Sequence, residues 1–232
     1  IAHDLVKVLS HHKIDVIIPE NQGCCGIPAL AAGDRQTFDR LVAHHLALFE
    51  QTRYDYLVTA CATCTATIHK LWPALYRHEN VTMKTAVNDL AGKTMDINQF
   101  LVEAAGLESG GPLKGLDPVT YHDPCHLKKS LNVTSAPRQV IAAAGYPLME
   151  MKDADKCCGM GGSFNLSHYD LSSRIGAIKA ENILNTGCST IATGCPACIV
   201  QISDMLSKAG SDIRVTHPIA LYARSIEQNQ AD

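Results

Sequence analysis

Hydrophobic and polar positions along this chain follow one order of elements, written twice. Residues 5–12 and 138–144 carry the three-to-four spacing of amphipathic helices. Each leads into a short apolar run, 14–19 and 146–151, that predicts extended structure. A longer helical stripe follows in each half. In the first, Phe38, Leu41, Val42, Leu46 and Phe49 form its apolar face, with His45 interrupting it or lying at its edge. In the second, residues 168–184 place Leu171, Ile175, Ile178 and Ile183 inward. Strand-like runs come next, 56–60 and 189–193, and an earlier one covers 119–122. A helix is expected at or just after the second Cys of the motif that follows each of the first two runs. Residues 79–115 are the least regular, with a short amphipathic piece over 98–105 and a break at Gly110, Gly111 and Pro112. Strand alternating with helix predicts an α/β fold of two tandem modules, 1–112 and 113–232. Each would be a parallel sheet flanked by helices, with chemistry gathered at the carboxyl ends of the strands.

The two halves share more than their hydropathy. VTACATCTATI (58–68) aligns with ATGCPACIVQI (192–202). Upstream, Cys24-Cys25-Gly26 matches Cys157-Cys158-Gly159. Gaps of 34 and 35 residues separate these pairs from Cys61-x-x-Cys64 and Cys195-x-x-Cys198, so one inserted residue reconciles the copies. The second copy carries a further Cys125, in Tyr121-His122-Asp123-Pro124-Cys125-His126. Its counterpart in the first copy would fall roughly nine residues before Ile1, so the first module is expected to be N-terminally truncated.

Ten Cys in 232 residues need a reason. Disulfide stapling is the weaker one: a chain of this size can build a core without staples, and a bridge between adjacent Cys closes a strained ring. Thiolates select zinc and iron–sulfur centres. A C-x-x-C turn and an adjacent pair each bring two sulfurs to one place, and Gly after the pair lets backbone pass close to a bulky group. With Cys125 the second module offers five thiolates, one more than zinc or an ordinary cubane uses. That favours an unusual cluster, or a cluster with a spare reactive thiol.

Charge and composition narrow the field. Lys and Arg number 20 against 23 Asp and Glu, so no basic surface points to nucleic acid. Apolar stretches are all broken by charge or His before about 18 residues, so no membrane span is expected. Gly159-Met160-Gly161-Gly162 lacks the spacing of a dinucleotide loop, and no flavin or nicotinamide fingerprint appears.

Cys125-x31-Cys157-Cys158-Gly159-x35-Cys195-x-x-Cys198, with its copy in the first half, resembles the cysteine-rich CCG domain. That domain occurs in heterodisulfide reductase and in the iron–sulfur subunits of glycolate oxidase, lactate utilisation systems and anaerobic glycerol-3-phosphate dehydrogenase. YHDPCH and CCGMGGSFN are most similar to the lactate/glycolate branch. The resemblance implies an iron–sulfur electron-transfer subunit that takes electrons from a flavin-containing dehydrogenase oxidising a 2-hydroxy acid or similar substrate. It implies a [4Fe–4S] cluster, of a non-cubane type in the heterodisulfide branch. The cofactor ligands it implies are Cys125, Cys157, Cys158, Cys195 and Cys198, then Cys24, Cys25, Cys61 and Cys64 as metal ligands of the first module, where zinc is an alternative occupant. It implies a cytoplasmic protein, associated with membrane only through partners. Ferredoxin-type Cys runs, often found upstream in such subunits, are absent from this sequence, which implies a ferredoxin-like domain or separate subunit. The rival readings are a disulfide reductase using an unusual cluster, and a zinc-stabilised binding module.

Other residues are read more plainly. His122 and His126 flank Cys125 and are either ligands or neighbours that tune it; ordinary surface or supporting residues is the default. His11, His12, His44 and His45 are expected on exposed helix faces. Lys128, Lys129 and Lys156 could counter an anionic cluster, although solvated lysines are commoner. Cys188 stands outside the repeat and is expected to be a buried or loop thiol.

Overall fold

The computed structural model describes residues 1–107 and 116–231, so the expected break at 110–112 lies outside the described residues. In the first half the order is α1 (Ala2–His11), α2 (Ile27–Ala31), α3 (Arg35–Glu50), β1 (Leu57–Thr59), α4 (Ala62–Ala66), α5 (Trp72–Leu75), α6 (Val81–Lys93), β2 (Thr94–Asp96) and α7 (Ile97–Glu103). The second half runs β3 (Val119–His122), α8 (Ser135–Ala143), α9 (Phe164–Ser167), α10 (Tyr169–Leu184), β4 (Thr190–Thr193), α11 (Pro196–Lys208), β5 (Arg214–Thr216) and α12 (Pro218–Ala231). Thr67–Leu71 and His126–Ser130 are wound as π-helix, and each follows a motif Cys. Such local overwidening of a helix recurs at functional sites.

Two parallel sheets result, as the alternation predicts. β1 pairs with β2, Thr59 beside Asp96. β4 lies between β3 and β5, with His122 beside Thr193 and Ala192 beside Thr216. The β1–α4 and β4–α11 units are the repeat seen in three dimensions, and β2–α7 and β5–α12 correspond in the same way. All four residues of β3 and of β4 are buried, which fits strands covered on both faces.

One apolar core draws on both halves. Val8, Leu9, Ile97, Phe100 and Leu101 pack with Tyr121, Val140, Ile141, Ala192, Ile219 and Tyr222. A second core lies under the later sheet around Ile183, Ile191, Ile202 and Leu206, and a third surrounds Trp72 with Phe38, Val42, Phe49 and Leu90.

Four expectations need correction. The run 14–19 forms no strand, and 146–151 contributes only an isolated parallel bridge from Leu148 to Val119. The irregular stretch 79–115 holds α6 and β2. Asn80 caps α6 by accepting the Met83 N–H, while Thr, Asn and Gly dilute its Val87–Leu90–Ala91 stripe. The inward face of α10 is Ser172, Gly176, Lys179, Ala180 and Ile183, leaving Leu171 49% and Ile178 57% exposed. α10 approaches α11 so closely that a Cβ on Gly176 would lie 2.5 Å from Met205 Cγ, so small residues must fill the contact. Finally, His45 is buried. Its Nδ1 donates to the Leu41 carbonyl at 2.7 Å and its Nε2 accepts the Gly23 N–H at 3.2 Å, which ties the first CCG loop to α3.

Candidate metal centre

The two C-x-x-C motifs begin with the same backbone conformation. Cys61 (φ −138, ψ 107) and Cys195 (φ −140, ψ 117) are the last extended residues before α4 and α11. The helix therefore starts after the first Cys of each motif, not at or after the second as expected, because the extended first Cys is itself the cap, and Cys64 and Cys198 lie on its first turn. The adjacent pairs match equally well. Gly26 (φ +91) and Gly159 (φ +98) turn the chain, and their N–H groups donate to Cys24 Sγ at 3.5 Å and Cys157 Sγ at 3.3 Å. Cys24 and Cys157 are exposed, whereas Cys25 and Cys158 are buried. Each loop is anchored from below. Trp72 Nε1 donates to the Cys25 carbonyl at 3.2 Å, and Ser172 Oγ donates to the Gly159 carbonyl at 2.8 Å. A Cβ on Gly159 would lie 2.5 Å from the Ser172 carbonyl oxygen, so this turn must be Gly for space as well as for φ.

These loops bring eight motif thiols into one row across both halves. Cys24 and Cys64 lie beside Cys25, and Cys64 beside Cys61. Cys61 meets Cys195 across the interface, Cys195 lies beside Cys198, and Cys198 Sγ is 3.4 Å from Cys158 Sγ, next to Cys157. The Ala62 N–H donates to the Gly194 carbonyl at 3.1 Å, and Thr63 Oγ1 lies 3.1 Å from His126 Nδ1 and 3.5 Å from Cys195 Sγ. Cys125 is half-buried beside the row, close enough for the charges of Cys158 and Cys195 to push its thiol up, after burial itself. Cys188 is buried, as its place outside the repeat suggested.

Crowded thiols shift one another's hold on the proton in opposite directions. Cys64 holds the Cys25 thiol down at about 6, Cys157 and Cys198 hold Cys158 far below the usual thiol range, and Cys198 and Cys61 do the same for Cys195. Their neighbours Cys61, Cys64, Cys157 and Cys198 are pushed up in turn. Thiols lowered by their neighbours suit metal binding, which needs the thiolate.

The YHDPCH turn is held by side chains that the sequence did not single out. Arg138 of α8 grips Asp123 with two parallel bonds, Nη1 to Oδ1 at 2.7 Å and Nη2 to Oδ2 at 2.9 Å, and lies over the Tyr121 ring. Lys179, buried within α10, donates from Nζ to the carbonyls of Asp153 (2.5 Å) and Ala154 (3.3 Å) just before the Cys157 pair. Lys128 and Lys156 are paired with Asp155 (3.1 Å) and Asp153 (2.9 Å). A Lys on the inward stripe of α10 was the available signal for Lys179; nothing in the one-dimensional pattern marked Arg138.

His122 is 1% exposed, and its Nε2 has no hydrogen-bond partner among the described residues. With Cys158 and Cys198 it forms a group whose donor atoms all lie within 4.8 Å of one another. Buried polar atoms are rarely left unpaired. Soft thiols and an orphaned imidazole nitrogen at one point are a donor set that fits an iron–sulfur centre or zinc.

The family model for the cysteine-rich CCG domain matches residues 1–69 and 119–203, which contain all nine motif Cys. An uncharacterised iron–sulfur protein of Methanocaldococcus jannaschii is 31% identical over 233 residues, covering 97% of this chain and 44% of the relative. A fumarate reductase (CoM/CoB) subunit of Methanothermobacter marburgensis is 32% identical, covering 94% of this chain and 41% of the relative. Lactate utilization protein A of an Exiguobacterium species is 27% identical, with 96% and 90% covered. The chain thus spans less than half the length of the first two relatives and most of the third. No helix among the described residues is long and apolar enough to cross a membrane.

Proposed function

The chain belongs to the family of cysteine-rich CCG domains, and from that premise we propose that it is an iron–sulfur subunit of an oxidoreductase complex. It receives electrons from a flavin-containing dehydrogenase acting on a 2-hydroxy acid or similar substrate, and docks a ferredoxin-like domain or subunit. The observation that carries this reading is the row of thiols crossing the interface at Cys61 and Cys195. Cys125, Cys157, Cys158, Cys195 and Cys198 hold the second module's group. Cys24, Cys25, Cys61 and Cys64 hold the first module's, where four thiolates also satisfy zinc. When bound, a [4Fe–4S] group supplies one-electron carriage at a potential the protein sets. The chain's own part is to bury the inner sulfurs Cys158, Cys195 and Cys198, and to aim N–H groups such as that of Gly159 at sulfur. Asp123, Arg138 and Lys179 hold the loops that place them.

A second reading, reduction of a disulfide, draws support from the exposed thiols Cys24 and Cys157 at the ends of the row. One assay separates the two. The reconstituted protein is mixed anaerobically with a reduced flavoprotein dehydrogenase of the lactate or glycolate type and its 2-hydroxy acid. Reduction of the chain's visible iron–sulfur absorption within the turnover time is expected. Failure to accept those electrons, together with oxidation of the reduced chain by added disulfide, would replace the first reading with the second.

A further inference from the structure

We propose that His122 is a nitrogen ligand of the second module's metal group, binding through Nε2 beside Cys158 and Cys198. The proposal rests on the iron–sulfur reading above and adds to its all-thiolate ligand set. His122 Nδ1 lies 3.0 Å from the Ala154 carbonyl oxygen. A carbonyl only accepts, so Nδ1 carries the ring proton and Nε2 is the nitrogen left to offer a lone pair to a metal. That lone pair faces Cys158 and Cys198, buried and without a hydrogen-bond partner among the described residues. Donors about 2.0–2.3 Å from one metal lie within such a spread of each other. A metal-bound imidazole characteristically donates its other N–H to a backbone carbonyl.

The ring's orientation is built in from several sides. The Ala154 carbonyl that holds Nδ1 also accepts the Asp123 N–H at 3.0 Å and the buried Lys179 ammonium. His122 is the last residue of β3, locked in register beside Thr193, two residues before Cys195. Cys125, three residues on, lies outside the three-donor group and more open to solvent. The module therefore offers six donors, five thiolates and one imidazole.

The test is pulsed EPR on the anaerobically reconstituted protein in its paramagnetic state, prepared with natural-abundance histidine and again with 15N-histidine. Expected is a strong nitrogen coupling that switches to the 15N frequency with the label. It should be lost in His122→Gln and kept in His126→Gln. If His122→Gln does not fold, His122→Cys, which offers a thiolate at the same place, is measured instead and should keep its iron while losing the nitrogen coupling. Iron-loaded protein with no histidine coupling, or coupling lost in His126→Gln, overturns the assignment and leaves the iron–sulfur reading standing. Protein that takes up no iron overturns both.

Discussion

Asp96 shows how a single buried group shapes the interior between the two halves. It ends β2, is fully buried, and caps α7 by accepting from Asn98 N at 2.9 Å and Nδ2 at 2.8 Å. Its other oxygen, Oδ2, has no partner among the described residues, and burial pushes the carboxyl up to about 6. A carboxyl raised above its unfolded value of 3.8 adds stability that is complete below that value and is lost as pH rises through about 6. Asp96→Asn keeps an acceptor for the cap and removes the charge. In metal-free, reduced protein, the variant should gain on the parent by roughly 2–3 kcal/mol between pH 4 and pH 7.5. Denaturant titrations at the two pH values check this; parallel pH dependences would show that the carboxyl is not desolvated in the folded state. Asp96 stayed invisible in the sequence because only burial gives it meaning.

Packing of elements decides where the Cys loops sit. The second CCG loop rests on α10, and α10 rests on α11, each through a glycine. Gly159→Ala would place a methyl against the Ser172 carbonyl at a left-handed turn, and should cost about 2–4 kcal/mol and lower metal retention. Gly92→Ala, in open space on α6, is the control and should be neutral or stabilising by up to about 1 kcal/mol. Thermal melts and metal content distinguish them; equal small effects would mean that the loop is free of α10. The same packing explains what could be read in advance. β1, β3, β4 and the four motif loops were legible because β-branched runs and paired Cys act locally. The inward face of α10 was not, because close helix contact selects Ser172 and Gly176 over the larger Leu171 and Ile178. α6 and β2 were missed because a diluted stripe and a strand of sequence Thr-Met-Asp gain their stability from tertiary partners.

Across the whole molecule, the repeat has become a two-sided site. Each half presents the same Gly turn, N–H···S bond and capping Cys, and the halves meet at Cys61 and Cys195 over a shared core. The nine motif Cys were legible from spacing alone. The convergence of the two copies was not, since no spacing reports the Ala62–Gly194 hydrogen bond or the Thr63–His126 contact. The most direct measurement is iron, acid-labile sulfide and zinc per chain after anaerobic reconstitution, in the parent and in Cys195→Ser. The account predicts iron with matching sulfide, about four irons for each module that holds a cluster, and a marked loss of both in the variant. Stoichiometric zinc with neither iron nor sulfide, unchanged by Cys195→Ser, would contradict it.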